Sequence, residues 1–174
     1  LWSANATVTI NPSSQLRLGA FSSVARPDPR ELSADNYTPV GGECSLQGNP
    51  DLQPTNIVNL DARYEIYPGS GEVVAVSGFY KKFDQPILEV LDAPAFGGCR
   101  VSYTNAESAT NFGAEFEARK SLGFIGSGMA GFTAGLNLLL VQSSVSLDSV
   151  IFGQAGQGLS LQGQSPYLIN FNLN

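Results

Sequence analysis

The chain has 174 residues, one domain's worth of sequence, and a net charge of −6 from 9 Lys and Arg against 15 Asp and Glu. No basic cluster is dense enough to neutralise phosphates, which argues against a nucleic-acid partner. With only 14% charged residues, 19 glycines and no histidine, the composition suits strands and turns and removes Ser–His, Cys–His and imidazole–metal chemistry.

No apolar run approaches the roughly 20 residues of a membrane helix; the longest is LNLLLV (136–141). The opening LWSANATVTI has neither the basic start nor the apolar stretch of a signal peptide, and it already alternates. Trp2, Ala4, Ala6, Val8 and Ile10 are apolar, and Ser3, Asn5, Thr7 and Thr9 are polar. Period two predicts a strand with two different faces. The chain is expected to begin inside a structural element, as a fragment would.

After a turn at NPSS, Leu16, Leu18, Ala20 and Val24 share one face of a second strand and Gln15, Arg17 and Ser23 the other, with a local break at Phe21 and Ser22. The third strand is the most regular: Val58, Leu60, Ala62, Tyr64 and Ile66 alternate with Asn59, Asp61, Arg63 and Glu65. PGSG then makes a tight turn into EVVAVSGFYKK, whose two faces are too alike to orient from sequence. In the fifth strand Phe112, Ala114, Phe116 and Ala118 oppose Gly113, Glu115, Glu117 and Arg119. The sixth sets Phe132, Ala134, Leu136, Leu138 and Leu140 against Thr133, Gly135 and Asn137, and the last sets Ile169, Phe171 and Leu173 against Asn170, Asn172 and Asn174.

Short turns alternate with long connections, at roughly 26–56, 83–108 and 143–166, so an antiparallel meander of about seven strands has all its short turns at one end and all its long loops at the other. That asymmetry, with every charge of the orientable strands on the polar face, is expected of a transmembrane β-barrel wall. About ten residues at roughly 3.4 Å, tilted about 45°, cover roughly 24 Å, close to the apolar band of such a wall. A soluble β-sandwich also sorts its faces, and periodicity leaves both architectures open.

Four stretches narrow the choice: LRLGAFSSVARPDPREL (16–32), GNPDLQPTNIVNLDARYEIYPGSGEVVAVSGFYKKFDQPI (48–87), TNAESATNFGAEFEARKSL (104–122) and LQGQSPYLINFNL (161–173). Their order and their "ARP", "GNP-L-P", "G-E-E-RK" and "LQGQSPY" elements resemble the later barrel strands of TonB-dependent outer-membrane receptors. The resemblance implies a non-enzymatic receptor in the outer membrane of a Gram-negative bacterium, which takes up a siderophore or similar small molecule with energy delivered through TonB. It also implies partners outside this chain: outer-membrane lipid, the rest of a barrel of about 22 strands, and an N-terminal plug that carries the TonB-contacting segment. On this reading residues 1–174 are an internal, partial β-barrel domain. Val58, Leu60, Ala62, Tyr64, Ile66, Phe112, Phe116, Phe132, Leu136, Leu138, Leu140, Ile169 and Phe171 then face lipid, and Arg17, Asn59, Asp61, Arg63, Glu65, Glu115, Glu117 and Arg119 face a polar lumen.

Other motifs carry less. Cys44 and Cys99 lack metal-ligand spacing; one disulfide and two separate thiols are both open, and in a barrel both would lie at the loop end, within reach of a loop-to-loop staple. GSGMAG (126–131) matches a dinucleotide fingerprint but leads into period-two sequence instead of a helix, so it reads as a turn and no cofactor is expected. Glu115 and Glu117, roughly 7 Å apart on one face, have a spacing that could serve a glycosidase, but the simpler reading is carboxylates that hydrate a polar interior or pair with Arg119. Tyr64, Tyr67, Tyr80 and Tyr167 fall near strand ends, where a membrane girdle or the rim of a soluble core would equally place them. NAT (5–7) and NYT (36–38) are formal glycosylation acceptors, read as chance matches. The competing architecture, a soluble β-sandwich, would serve as a binding or adhesion module; a passive porin or barrel enzyme is a third reading.

Overall fold

The computed structural model describes residues 1–41, 44–92, 98–146, 157–161 and 163–174. Its strands are β1 (Ser3–Asn11), β2 (Ser14–Ala25), β3 (Asn36–Tyr37), β4 (Ser45–Gln47), β5 (Thr55–Ile66), β6 (Val73–Asp84), β7 (Ile87–Asp92), β8 (Arg100–Asn105), β9 (Ser108–Ser121), β10 (Thr133–Ser146), β11 (Gln157–Leu159) and β12 (Tyr167–Leu173). The long ones form a single antiparallel wall in the order β1-β2-β5-β6-β9-β10, and β11 and β12 share the far edge of β10. β12 pairs with Ala134–Leu140 and β11 with Val145–Ser146, so the two are pieces of one interrupted strand. The gap between them is tied to β10 by Leu161 N–H donating to Ser143 Oγ (2.9 Å) and Val141 N–H donating to the Pro166 carbonyl (2.9 Å). The result is the all-β meander of seven strands that the alternation predicts.

β2 pairs with β5 without a bulge from Ser14↔Ile66 to Ala25↔Thr55. The irregularity at Phe21 and Ser22 is therefore chemical and not geometric: Phe21 stays on the polar face, paired with Asn59, and Ser22 stays on the apolar face, where its Oγ accepts the Trp2 N–H (3.0 Å). Register also orients β6. Val74, Val76, Gly78 and Tyr80 pair with Ile66, Tyr64, Ala62 and Leu60 and so join the apolar face, while Val73, Ala75, Ser77 and Phe79 join the other.

Cross-strand rows define an apolar band. Leu60–Tyr80–Phe112, Ala62–Gly78–Ala114–Leu140, Tyr64–Val76–Phe116–Leu138–Ile169 and Ile66–Val74–Ala118–Leu136–Phe171 lie one after another. Toward the long loops the same face turns polar at Lys82, Thr110 and Ser144 and then at Asn56, Asp84, Ser108 and Ser146. Phe132 stands one residue before β10, and its carbonyl accepts the Leu122 N–H (2.9 Å).

The band is uncovered. Leu60 is 46% exposed, whereas its neighbour Asn59 is 3% and Glu65 5% exposed. A sandwich would bury the apolar face beneath a second sheet and wet the charged one; the inverse pattern here rules out the sandwich arrangement. Buried apolar side chains gather instead where the wall meets the long loops, as Ala106, Ala109 and Val145 with Phe83, Leu88 and Leu161 packed against them.

The long loops, read from sequence as irregular connections, contain a second sheet in the order β3-β4-β8-β7. β3 and β4 have too little alternation to reveal themselves, whereas in β8 the alternation of Val101 and Tyr103 with Ser102 and Thr104 was an available signal. β4 runs parallel to β8, with Ser45 opposite Arg100 and Leu46 opposite Val101, so the first and second long loops become one unit. Cys44 and Cys99 are joined at the head of these strands, with Cα atoms 4.7 Å apart, and Ser45 N–H donates to the Cys99 carbonyl (3.1 Å). Asn105 accepts from Gln53 N–H (2.8 Å) and donates to the carbonyls of Gln53 (2.9 Å) and Gln85 (2.7 Å), stitching the loop bases together. Gly48 lies under three carbonyls: a Cβ there would come within 2.5 Å of Glu31 O and Ser33 O and 2.6 Å of Arg30 O, closer than the backbone tolerates.

Replacing both cysteines (Cys44→Ser with Cys99→Ser) is expected to lower the stability of the loop sheet by about 2–4 kcal/mol. Hydrogen exchange should show faster exchange of the Ser45 and Leu46 amides while β5 and β6 keep their protection; unchanged exchange in the loop sheet would show that its hydrogen bonds suffice without the disulfide.

Candidate functional site

The polar face of the wall concentrates the charged side chains. Register aligns Thr9, Gln15, Glu65, Ala75, Glu117 and Asn137 in one row and Thr7, Arg17, Arg63, Ser77 and Glu115 in the next. Glu65 is the hub. Its carboxylate accepts from Gln15 Nε2 (2.5 Å), Tyr67 Oη (2.7 Å) and Arg63 Nε (2.7 Å), and Arg17 Nε lies 3.2 Å away. Such a density of donors is what makes a buried carboxylate tolerable.

Arg63 extends the network across the sheet. Its Nη2 reaches Glu117 Oε2 (2.6 Å) and its Nη1 reaches Ser77 Oγ (3.2 Å). β5 and β9 are separated by β6, so the guanidinium bridges two inter-strand spacings, roughly 10 Å. It can do so because the β6 residues beneath it are Ala75 and Ser77; a larger side chain at either position would lie in its path.

The remaining polar-face residues take separate partners. Glu115 accepts from Asn137 Nδ2. Arg119, expected beside Glu117, instead donates from Nε to the Gly71 carbonyl (2.9 Å) in the hairpin turn below. Asn59 donates to Ser23 Oγ (3.2 Å) and the Phe21 carbonyl (3.4 Å). Asp61 is exposed and lines, with Asn5, Arg17 and Arg63, a recess of about 330 Å³ in this face. The recess lies over Gly19, which is paired with both Asn5 and Asp61.

Tyr67 is a residue that the sequence reading left open, between a membrane girdle and the rim of a core. Its hydroxyl binds Glu65 and also accepts from Gln15 Nε2 (2.8 Å), so it belongs to the polar network and not to an aromatic girdle. The odd-numbered parity of Asn59, Asp61, Arg63 and Glu65, continued by one step, was the signal for it. Both glutamates that could have formed a hydrolytic pair are engaged elsewhere, and among the described residues no group of three or more His, Cys, Asp or Glu side chains is arranged to hold a metal ion. The arrangement fixes charge on a wall.

Arg63→Met leaves Glu65 and Glu117 without their shared cation and is expected to cost about 2–4 kcal/mol, whereas Arg17→Met, at a side chain 55% exposed, should cost about 1 kcal/mol or less. Arg63→Lys should fall between, because an ammonium cannot fork to both carboxylates. Urea unfolding of the detergent-solubilised protein measures all three; equal losses for Arg17→Met and Arg63→Met would contradict the assignment of Arg63 as the bridge between Glu65 and Glu117.

The family described as TonB dependent receptor-like, beta-barrel matches residues 1–174. Among solved structures, the chain is similar to the siderophore receptor PirA from Pseudomonas aeruginosa (19% identity, TM-score 0.66, 82% of this chain and 30% of that one). It is also similar to the ferric enterobactin receptor PfeA from Pseudomonas aeruginosa (20%, 0.64, 98% and 25%) and to the copper transporter OprC (19%, 0.60, 81% and 20%). No curated protein sequence matches the chain. At these identities the structural likeness speaks to fold, and the chain spans less than a third of the length of each of these structures. With the family match over its whole length and a wall whose apolar side is bare while Asn59 and Glu65 on the other side are closed, the chain belongs to the TonB-dependent receptors, as part of their β-barrel domain.

Proposed function

We propose that this chain forms a sector of the wall and of the external mouth of an outer-membrane receptor that imports a scarce nutrient, a siderophore or a comparable metal-carrying molecule, with energy supplied through TonB. The role is transport and carries no catalysis. The single observation that supports it best is the inverted burial of β5, where Leu60 is open and Asn59 and Glu65 are closed, because only a lipid solvent makes that inversion favourable. The names of PirA, PfeA and OprC, receptors or transporters of siderophore, ferric enterobactin and copper, support the substrate class.

In this reading Val58, Leu60, Ala62, Tyr64, Ile66, Phe112, Phe116, Phe132, Leu136, Leu138, Leu140, Ile169 and Phe171 meet lipid. Arg17, Asn59, Asp61, Arg63, Glu65, Glu115, Glu117 and Arg119 line the lumen and face the plug. The free edges of β1 and β12 pair with further strands of the same barrel, since open edges are not tolerated in lipid. The disulfide-joined loop sheet stands on the extracellular side, in the oxidising environment where such bonds persist.

Val76→Arg tests the wall, at a side chain 53% exposed in an inner row of the apolar band. An arginine on the lipid face near mid-bilayer costs about 2–4 kcal/mol, so heat-modifiable, folded receptor in outer-membrane fractions should fall sharply. Asn5→Arg, which adds the same charge to the polar face near Asp61, should assemble normally. Equal assembly of the two variants would overturn the orientation. Uptake of labelled ferric siderophore and of copper by cells with and without TonB tests the transport: uptake by this receptor that persists unchanged without TonB would overturn the energised mechanism.

A further inference from the structure

At the short-turn end the first two hairpins close over residues 12–13 and 67–72, whereas the one between β9 and β10 takes 122–132. It folds into two 3-10 turns, Leu122–Phe124 and Ser127–Met129, and leaves Phe124 69% and Ile125 62% exposed. Reversing a chain requires no large apolar side chain, and exposing two of them to water is unfavourable. The glycines of GSGMAG serve here as the bend that presents this pair.

The turn leans to the apolar side of the wall. Lys120 alternates onto that face with Ala118 and is paired with Ala134, and the Leu122 N–H to Phe132 carbonyl bond continues the same ladder. The Lys120 ammonium lies 5.6 Å from the centroid of the Phe124 ring, so the ring has folded back over the apolar-face edge. Lys120 Nζ is also 3.2 Å from Glu72 Oε2, which in turn accepts the Ser121 N–H through Oε1 (3.3 Å). The apolar face of Ile66, Val74, Ala118 and Leu136 thus runs without a break to Lys120, whose side chain is 57% exposed between Glu72 and the Phe124 ring.

We infer that residues 122–132 are an interfacial anchor, seating Phe124 and Ile125 at the boundary between acyl chains and headgroups of the phospholipid leaflet on the short-turn side. Two features fix the occupant. The patch is continuous with the lipid-facing band, and Lys120 at its rim is the long-stemmed cation that can bury its methylenes and hold its charge among phosphates. The inference rests on the proposal that the apolar face meets lipid.

Nitroxide labels placed in separate variants, Phe124→Cys, Ile125→Cys and Val76→Cys, the last in an inner row of the apolar band, test it in the intact receptor reconstituted into phosphatidylethanolamine–phosphatidylglycerol bilayers. Cys44 and Cys99 are bonded to each other and do not take the label. The expected result is that labels at 124 and 125 are reached by oxygen in preference to a water-soluble nickel chelate, at a depth shallower than the Val76 label. A deep Val76 label with 124 and 125 open to the chelate, or closed to both reagents, would overturn the anchor and leave the barrel orientation standing. A Val76 label open to the chelate would overturn both.

Discussion

A strand in a bilayer has no water to satisfy its amides and carbonyls, so each must find its partner on the neighbouring strand. The wall meets that demand with long, regular ladders: β9 and β10 pair over 14 residues each, from Thr133↔Ser121 to Ser146↔Ser108. Because the ladder admits no slip, a side chain's parity decides its solvent along the whole strand. One register error in β5 would carry Arg63 and Glu65 into the apolar band and Tyr64 and Ile66 into the charge network. The strict alternation of VNLDARYEI is the sequence record of that constraint.

The same constraint makes the charged side a network. Glu65 is closed to water, and the guanidinium and hydroxyl groups around it are arranged to satisfy it. Glu65 collects donors from β2, β5 and the residue just beyond β5, and Arg63 passes over the small residues of β6 to reach β9. Four adjacent strands are thereby held by side chains as well as by their backbone ladders. The small side chains of Ala75 and Ser77 are as necessary to this as the charges, since they leave the path open.

Above the band the physics changes. The polar rows at Lys82 and Asp84 mark where the apolar face ends, and beyond them short strands, a parallel β4–β8 pair and a disulfide replace alternation as the organising devices. Joining the first two long loops into one sheet gives an extended segment a fixed shape despite its having few apolar residues to bury. The buried cluster around Ala109 and Val145 sits at the foot of this unit, where it seats the loops on the wall.

The wall was legible in the sequence because its solvent imposes a period of two on side-chain chemistry, and period and parity are properties of a single strand. β1, β2, β5, β9, β10 and β12 could be read in this way, with Arg17, Arg63, Glu65 and Glu117 on a common kind of face. Their partners could not. That Glu117 meets Arg63 and not Arg119, that Tyr67 serves Glu65, and that β6 turns Val74 and Tyr80 toward the apolar side are decided by which strands lie adjacent and in what register. The loop sheet was harder to read: β3 and β4 are too short to carry a period, the six residues of β8 do alternate but gain a face only when β4 and β7 lie beside them, and the Cys44–Cys99 distance exists only once two separate loops are brought together. The sequence by itself determined which side chains share a face, because alternation is local; the tertiary structure alone decided which of them touch, because contact across strands depends on a register that no single strand contains.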